Sequence, residues 1–208
     1  MALGSLVSIA ASTFNRVMVV ELSLLQIIPG LLLALHYFIQ ISRPNWGFLS
    51  DKGGNRTFWI IIGVIILCLG SILACIGILL IPENYLFGLT ISIFAYILIG
   101  IGVGASGTSL LAFLATRTDN SKKAAAATIT WIMMIFGAAF TAIFVGKIID
   151  PYSIEKLLKI VTVISLFWII TSFITLYKLE STHKQKVLHH FEPVSITFYQ
   201  GLKQVLLE

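Results

Sequence analysis

Long uncharged apolar runs alternate along the chain with short charged interruptions. Residues 22–42, 57–82, 84–116, 124–146 and 160–177 contain no Asp, Glu, Lys or Arg. A helix that crosses a bilayer needs about 20 mostly apolar residues, so each run has the length of one transit. The stretch from Met1 to Val20 is a sixth apolar run, interrupted by Asn15 and Arg16. A signal peptide is the rival reading of that stretch. No basic segment precedes the run, however, and Arg16 sits where the apolar region should end. Runs such as Trp59 to Leu67 do not alternate apolar with polar, which excludes barrel strands. The pattern predicts an all-α membrane protein with six transmembrane helices near residues 1–20, 24–45, 57–80, 86–115, 124–148 and 157–178.

Composition reinforces this. Apolar residues make up 58% of the 208, charged residues 11%, and mean hydropathy is +0.98. A soluble domain carries about 25% charged residues, and disorder needs low hydrophobicity with high charge. Two cysteines do not make a disulfide scaffold or a multi-cysteine metal cluster.

The net charge of +5 has a topological use. Segments after the second, fourth and sixth spans carry Lys52, Arg56, Arg117, Lys122, Lys123, Lys178, Lys184, Lys186 and Lys203. Segments on the other side carry Lys147, Lys156 and Lys159, offset by Asp150 and Glu155. The positive-inside rule then predicts that both termini are cytoplasmic, and a nucleic-acid patch is disfavoured. Residues 1–180 read as a six-helix transmembrane unit and 181–208 as a cytoplasmic linker. Phe198 to Glu208 has the composition of a surface amphipathic helix. His183, His189 and His190 are too irregularly spaced for a metal site.

The segment Gly47-Phe48-Leu49-Ser50-Asp51-Lys52-Gly53-Gly54-Asn55-Arg56 resembles the signature between the second and third helices of the major facilitator superfamily. Lys52 and Asn55 stand where that pattern carries arginine or another basic residue. The resemblance implies a conformational latch built from Gly47, Asp51, Lys52, Gly54 and Arg56. On the residues alone, Gly53 and Gly54 allow a tight reversal, and Asp51 can meet a helix N-terminus or a cation.

Further runs narrow the resemblance to the PucC/LhaA family, the (bacterio)chlorophyll-delivery branch of the major facilitators. These are Asn15-Arg16-Val17-Met18-Val19-Val20-Glu21-Leu22, Arg43 to Gly47 followed by Ser50-Asp51, Gly100 to Ala112, Lys123 to Met134, and Asp150-Pro151-Tyr152-Ser153. Family members have twelve helices in two six-helix halves. The resemblance therefore implies the N-terminal half of such a bundle, with a 3+3 inverted repeat, and a second half supplied by a longer or separate gene product.

Ionisable groups within spans are costly and face the bundle interior. Asn15, Arg16, Glu21 and Arg43 are the candidate cavity residues. Arg16 would meet pigment carboxylate or keto groups, or an acidic residue from elsewhere. Arg16 and Glu21 are five apart, outside ideal i,i+4 register. His36 is a candidate axial ligand for a pigment magnesium, or else is hydrogen-bonded to a neighbouring helix. Gly100, Gly102, Gly104 and Gly107 of the fourth span read as helix-packing positions, and Gly100, Gly104 and Gly107 are singled out as one stripe of one face. Cys68 and Cys75 read as small apolar residues. Trp46 and Trp59 read as interface anchors.

No nucleophile–base pair, phosphate loop or metal cluster is visible, so the chain does not read as an enzyme. The resemblance implies a membrane protein for (bacterio)chlorophyll delivery or light-harvesting complex assembly. Its setting would be a bacterial cytoplasmic, intracytoplasmic photosynthetic or thylakoid membrane. Pigment would be cargo rather than cofactor, and light-harvesting or photosystem subunits would be the partners. The alternatives are a generic secondary transporter of a small solute and a structural subunit of a photosynthetic complex.

Overall fold

A computed structural model describes residues 1–52 and 55–181, with side chains through 176. Gly54 of the expected latch, the three tail histidines and the expected amphipathic segment lie outside the described residues. So does the predicted linker, apart from Ser181, which ends the last helix.

The described residues form helices and contain no strand. The first arm, α1 (Ala2–Glu21), includes two wide π-helical turns, Ile9–Thr13 and Val17–Glu21. After α1 the chain turns at Ser23, whose φ of 51° is left-handed. The second arm is α2 (Ile27–Ile39), a 3-10 turn (Gln40–Ser42) and α3 (Arg43–Lys52). Then follow α4 (Arg56–Leu80), α5 (Tyr85–Arg117), a 3-10 turn (Asn120–Lys122), α6 (Lys123–Ile148) and α7 (Ile154–Ser181).

Five helices are each long and apolar enough to cross a membrane, and the second arm is the sixth candidate. Alone, α2 would reach only about 20 Å at 1.5 Å per residue. Pro44 explains its break. Proline lacks an N–H, and its ring crowds the carbonyl four residues back, here Gln40, where the helix tightens to 3-10.

The second arm departs from expectation. The spacing of charges predicted a helix ending near residue 45 and a loop from Gly47, yet Gly47 to Lys52 is helical. Uncharged length marks the buried run and does not register that a polar helix continues beyond it.

Helices α4 and α5 form a long antiparallel hairpin, turned at Ile81–Asn84. There the Asn84 side chain caps α5 by accepting from the Phe87 N–H at 3.1 Å. Lipid tails are as apolar as leucine, so helices in a bilayer associate through close packing of small residues. On α4, Gly63, Gly70 and Gly77 recur every seven residues and lie against α5. A Cβ on Gly63 would fall 2.5 Å from the Ser106 nitrogen, one on Gly70 2.9 Å from the Ile99 nitrogen, and one on Gly77 2.8 Å from the Ser92 nitrogen. From the other side, a Cβ on Gly102 would fall 2.6 Å from the Leu67 nitrogen. These positions require glycine because backbone faces backbone.

Around this hairpin, α2 lies on α5, α7 on α4, and α1 on α6. The α1–α6 contact repeats the device. A Cβ on Gly4 would collide with the Met134 carbonyl, and one on Gly137 would lie 2.7 Å from that of Met1. Ser5 Oγ and Thr141 Oγ1 share a buried hydrogen bond of 2.6 Å. The Tyr96 hydroxyl of α5 donates to the Ala10 carbonyl in the first wide turn of α1 at 3.0 Å. Leu6, Phe14, Met18, Leu67, Ile78, Ile99, Leu157 and Val161 fill the core between these contacts. Large side chains of α6 and α7, among them Ile135, Phe140, Ile143 and Ile174, face outward.

Candidate functional site

Two of the expected latch residues, Asp51 and Arg56, meet at one end of the bundle. Arg56 is the first residue of α4, and its guanidinium reaches two further helices. It donates to Asp51 Oδ1 of α3 at 2.6 Å, and to the Ala112 carbonyl and Thr116 Oγ1 of α5 at 2.6 and 2.5 Å. The 33-residue α5 makes this possible. At about 50 Å it overreaches a hydrocarbon core of about 30 Å, so its last turns stand beside the α3–α4 junction. The Arg56 side chain is 18% exposed and that of Asp51 57%. An exposed ion pair contributes little alone. The tie to a part-buried backbone carbonyl is a stronger, charge-assisted bond. Gly47 allows α3 to lie on α5, since a Cβ there would come 3.3 Å from Thr108 Cγ2. Lys52 enters no ion pair among the described residues.

The four candidate cavity residues separate into two places. Arg16, Glu21 and Asp150 gather at the opposite end, with Arg16 Nη2 3.9 Å from each carboxylate. The five-residue spacing of Arg16 and Glu21 is wrong for an α-helix but suits this one. The π-turn over Val17–Glu21 closes from i to i+5, returning residues five apart to one face. Nearby, burial first, and then Cys75 and Glu21, push the Tyr152 phenol above its usual pKa. Asn15 is exposed on α1. Arg43 lies on the second arm, where it donates to Gln40 Oε1.

His36 is 1% exposed. Because Gln40 Oε1 accepts from Arg43, the Gln40 amide nitrogen is the donor to His36 Nε2, at 2.8 Å. That assignment follows from the hydrogen-bond network. It places the imidazole proton on Nδ1, which has no partner. The lone pair that would ligate a magnesium is directed at Gln40.

Of the three glycines singled out on α5, Gly100 makes the close approach: a Cβ would fall 2.8 Å from the His36 carbonyl and from Ile39 Cβ. At Gly104 the nearest atom is Trp46 Cδ1 at 3.4 Å, and at Gly107 it is Leu3 Cδ1 at 3.9 Å, so both have room for a methyl. Gly102, also expected to pack, faces another way and approaches closer still, as does Gly88 beside the hairpin turn, where a Cβ would fall 2.6 Å from the Ile81 nitrogen. Sequence reasoning missed the Gly63, Gly70 and Gly77 heptad, whose spacing was visible. Tyr96 and Gln40 were also missed, and no local pattern marks them. Among the described residues, no group of three or more His, Cys, Asp or Glu is placed to hold a metal ion.

Comparison with known proteins adds a lineage to this geometry. A family model described as PUCC protein matches residues 13–205. The Bacteriochlorophyll synthase 44.5 kDa chain of Rhodobacter capsulatus is 47% identical over 208 residues, covering 100% of this chain and 48% of the relative. Protein PucC of Cereibacter sphaeroides is 24% identical over 198 residues, covering 88% and 42% respectively. Protein PucC of Rhodovulum sulfidophilum is 22% identical over 208 residues, covering 92% and 45%. The chain thus spans about half the length of the curated relatives it matches. No solved structure matches it.

Proposed function

The chain belongs to the PUCC protein family, and from that membership we propose that it is the N-terminal half-bundle of a major-facilitator-type protein that handles (bacterio)chlorophyll during light-harvesting complex assembly. The observation that carries the reading is the family match across residues 13–205. The relative named as a bacteriochlorophyll synthase chain supports a pigment-related role. The pairing of helices supports a 3+3 repeat. The first span packs on the fifth (α1 on α6), the second on the fourth (α2 on α5), and the third on the sixth (α4 on α7). Exchanging spans one to three with four to six maps each of these three pairs onto one of the set, whereas the α4–α5 hairpin maps onto α7 and α1, which touch only slightly. The interior supports an apolar cargo, since no formal charge lies in α4 after Arg56 or in α6 between Lys123 and Lys147. The second half would complete a cavity, and the Arg56 latch would favour one of two arrangements of the halves. Both termini are then cytoplasmic in a photosynthetic membrane, and light-harvesting subunits are the recipients. The chain itself is non-catalytic.

The relative's name favours one second reading, an accessory chain of a pigment-synthesising enzyme. One experiment separates the two. The gene is deleted, and absorption spectra of isolated membranes are recorded beside total pigment extracted into solvent. Delivery predicts loss of antenna bands with pigment still extractable. The accessory reading predicts a fall in total pigment with accumulation of precursors. An unchanged spectrum across light regimes would overturn both and return a small-solute transporter to first place.

A further inference from the structure

A depression of about 490 Å³ lies between the end of α3 and the start of α4, lined by Leu49, Lys52, Asn55, Phe58 and Trp59. Its two sides differ in chemistry. Lys52 and Asn55 are exposed polar groups, and the Asn55 side chain makes no capping hydrogen bond to α4. Leu49 and Phe58 are exposed apolar groups. Trp59 packs against both Phe58 and Trp46, with ring centroids 6.0 and 5.8 Å apart. The apolar run of α4 begins immediately after Arg56. The depression therefore straddles the level at which hydrocarbon gives way to water.

The charge balance is equally particular. Asp51 and Arg56 neutralise each other at 2.6 Å, which leaves Lys52 at the rim as a positive charge with no ion-pair partner among the described residues. Interfacial tryptophan and a lysine reaching from apolar surface to water are the groups that hold a lipid at the edge of a bilayer.

We propose that this depression binds an anionic glycerophospholipid, with Lys52 and Asn55 meeting the headgroup phosphate and Leu49, Phe58 and Trp59 meeting the upper acyl chains. A soluble phosphate would leave the apolar side unused. A zwitterionic lipid would bring its own ammonium towards Lys52. Neither argument depends on the pigment role, so the two proposals stand or fall separately.

The test uses the full chain in nanodiscs, with Trp131 and Trp168 replaced by phenylalanine so that Trp46 and Trp59 report. Fluorescence is quenched with brominated-chain phosphatidylglycerol or brominated-chain phosphatidylcholine in an unbrominated phosphatidylcholine background. Phosphatidylglycerol is expected to quench at a several-fold lower mole fraction. Lys52→Gln should cost about fivefold of that preference, the loss expected for one lysine at an anionic surface. Lys52→Arg and Lys123→Gln should keep it. Asn55→Asp, which sets a carboxylate against the phosphate, is an independent variant and should also lose it. Equal quenching by the two lipids would overturn the proposal. So would an equal loss in Lys123→Gln, which would mean general surface attraction. Displacement by inorganic phosphate or glycerophosphoglycerol would also overturn it, by making the site one for a soluble anion.

Discussion

At Arg56 one planar group holds three helices, because a guanidinium presents several donors in a fixed fork. Arg56→Gln should lower stability in detergent by about 1.5–3 kcal/mol, the range for a hydrogen bond to a charged group. Arg56→Lys should recover little of it, since a point charge cannot reach Asp51, Ala112 and Thr116 together. Asp51→Asn should cost less than about 1 kcal/mol because that carboxylate is exposed. Thermal unfolding of the three variants orders them, and a Lys variant as stable as the parent would reject the fork. Ser23 gives the opposite case. Its φ of 51° costs a side-chain-bearing residue about 1–2 kcal/mol. Ser23→Gly should therefore stabilise by about 0.5–1 kcal/mol after allowing for the freer unfolded chain. A loss of stability there would mean that the Ser23 side chain contributes a contact of its own.

Among whole elements, the α4–α5 hairpin depends on backbone approach. Gly63→Leu or Gly102→Leu would drive a side chain into the Ser106 or Leu67 nitrogen, and the helices would have to separate. The expected cost is about 3 kcal/mol or more, at the upper end of overpacking. Gly30→Ala and Gly146→Ala meet nothing within 4 Å and are the controls. Each should be neutral or stabilising by up to about 1 kcal/mol, the helix-propensity difference. Equal behaviour of the two sets in thermal unfolding would show that the hairpin tolerates wider spacing. The two wide turns of α1 belong to this scale too. They place Arg16 beside Glu21 and present the Ala10 carbonyl to Tyr96. In an α-helical α1, residues 16 and 21 would diverge around the helix.

For the molecule as a whole, the two ends differ in charge, and that difference predicts orientation. The end with Lys52, Arg56, Arg117, Lys122 and Lys123 should face the cytoplasm. Cys68 and Cys75 are buried, so single exposed cysteines can report on the two sides. With an impermeant thiol reagent on intact cells, Glu83→Cys should label and Asp119→Cys should label only after permeabilisation. The reverse pattern would invert the topology. The outward apolar faces of α6 and α7 carry no such polarity, because lipid accepts any apolar side chain equally.

Reading the chain in one dimension yielded the helical class and a set of membrane-length runs, five of which are helices long and apolar enough to cross among the described residues. Both are set by a local quantity, the length of an uncharged run. The family likeness was legible for the same reason, in short contiguous runs such as Asn15 to Leu22. Tertiary structure decided what depends on two segments meeting. It extended the second arm through Gly47 to Lys52, because α3 finds support on α5 across Gly47. It packed Gly102 more closely than Gly104 or Gly107, because which stripe of a helix is buried depends on the partner's glycines. It placed Arg16 and Arg43 at different sites, and turned the lone pair of His36 towards Gln40. A charge in an apolar run signals a partner without naming it, since the carboxylate that answers Arg16 from outside its own helix, Asp150, lies 134 residues away in sequence and close only in the folded chain.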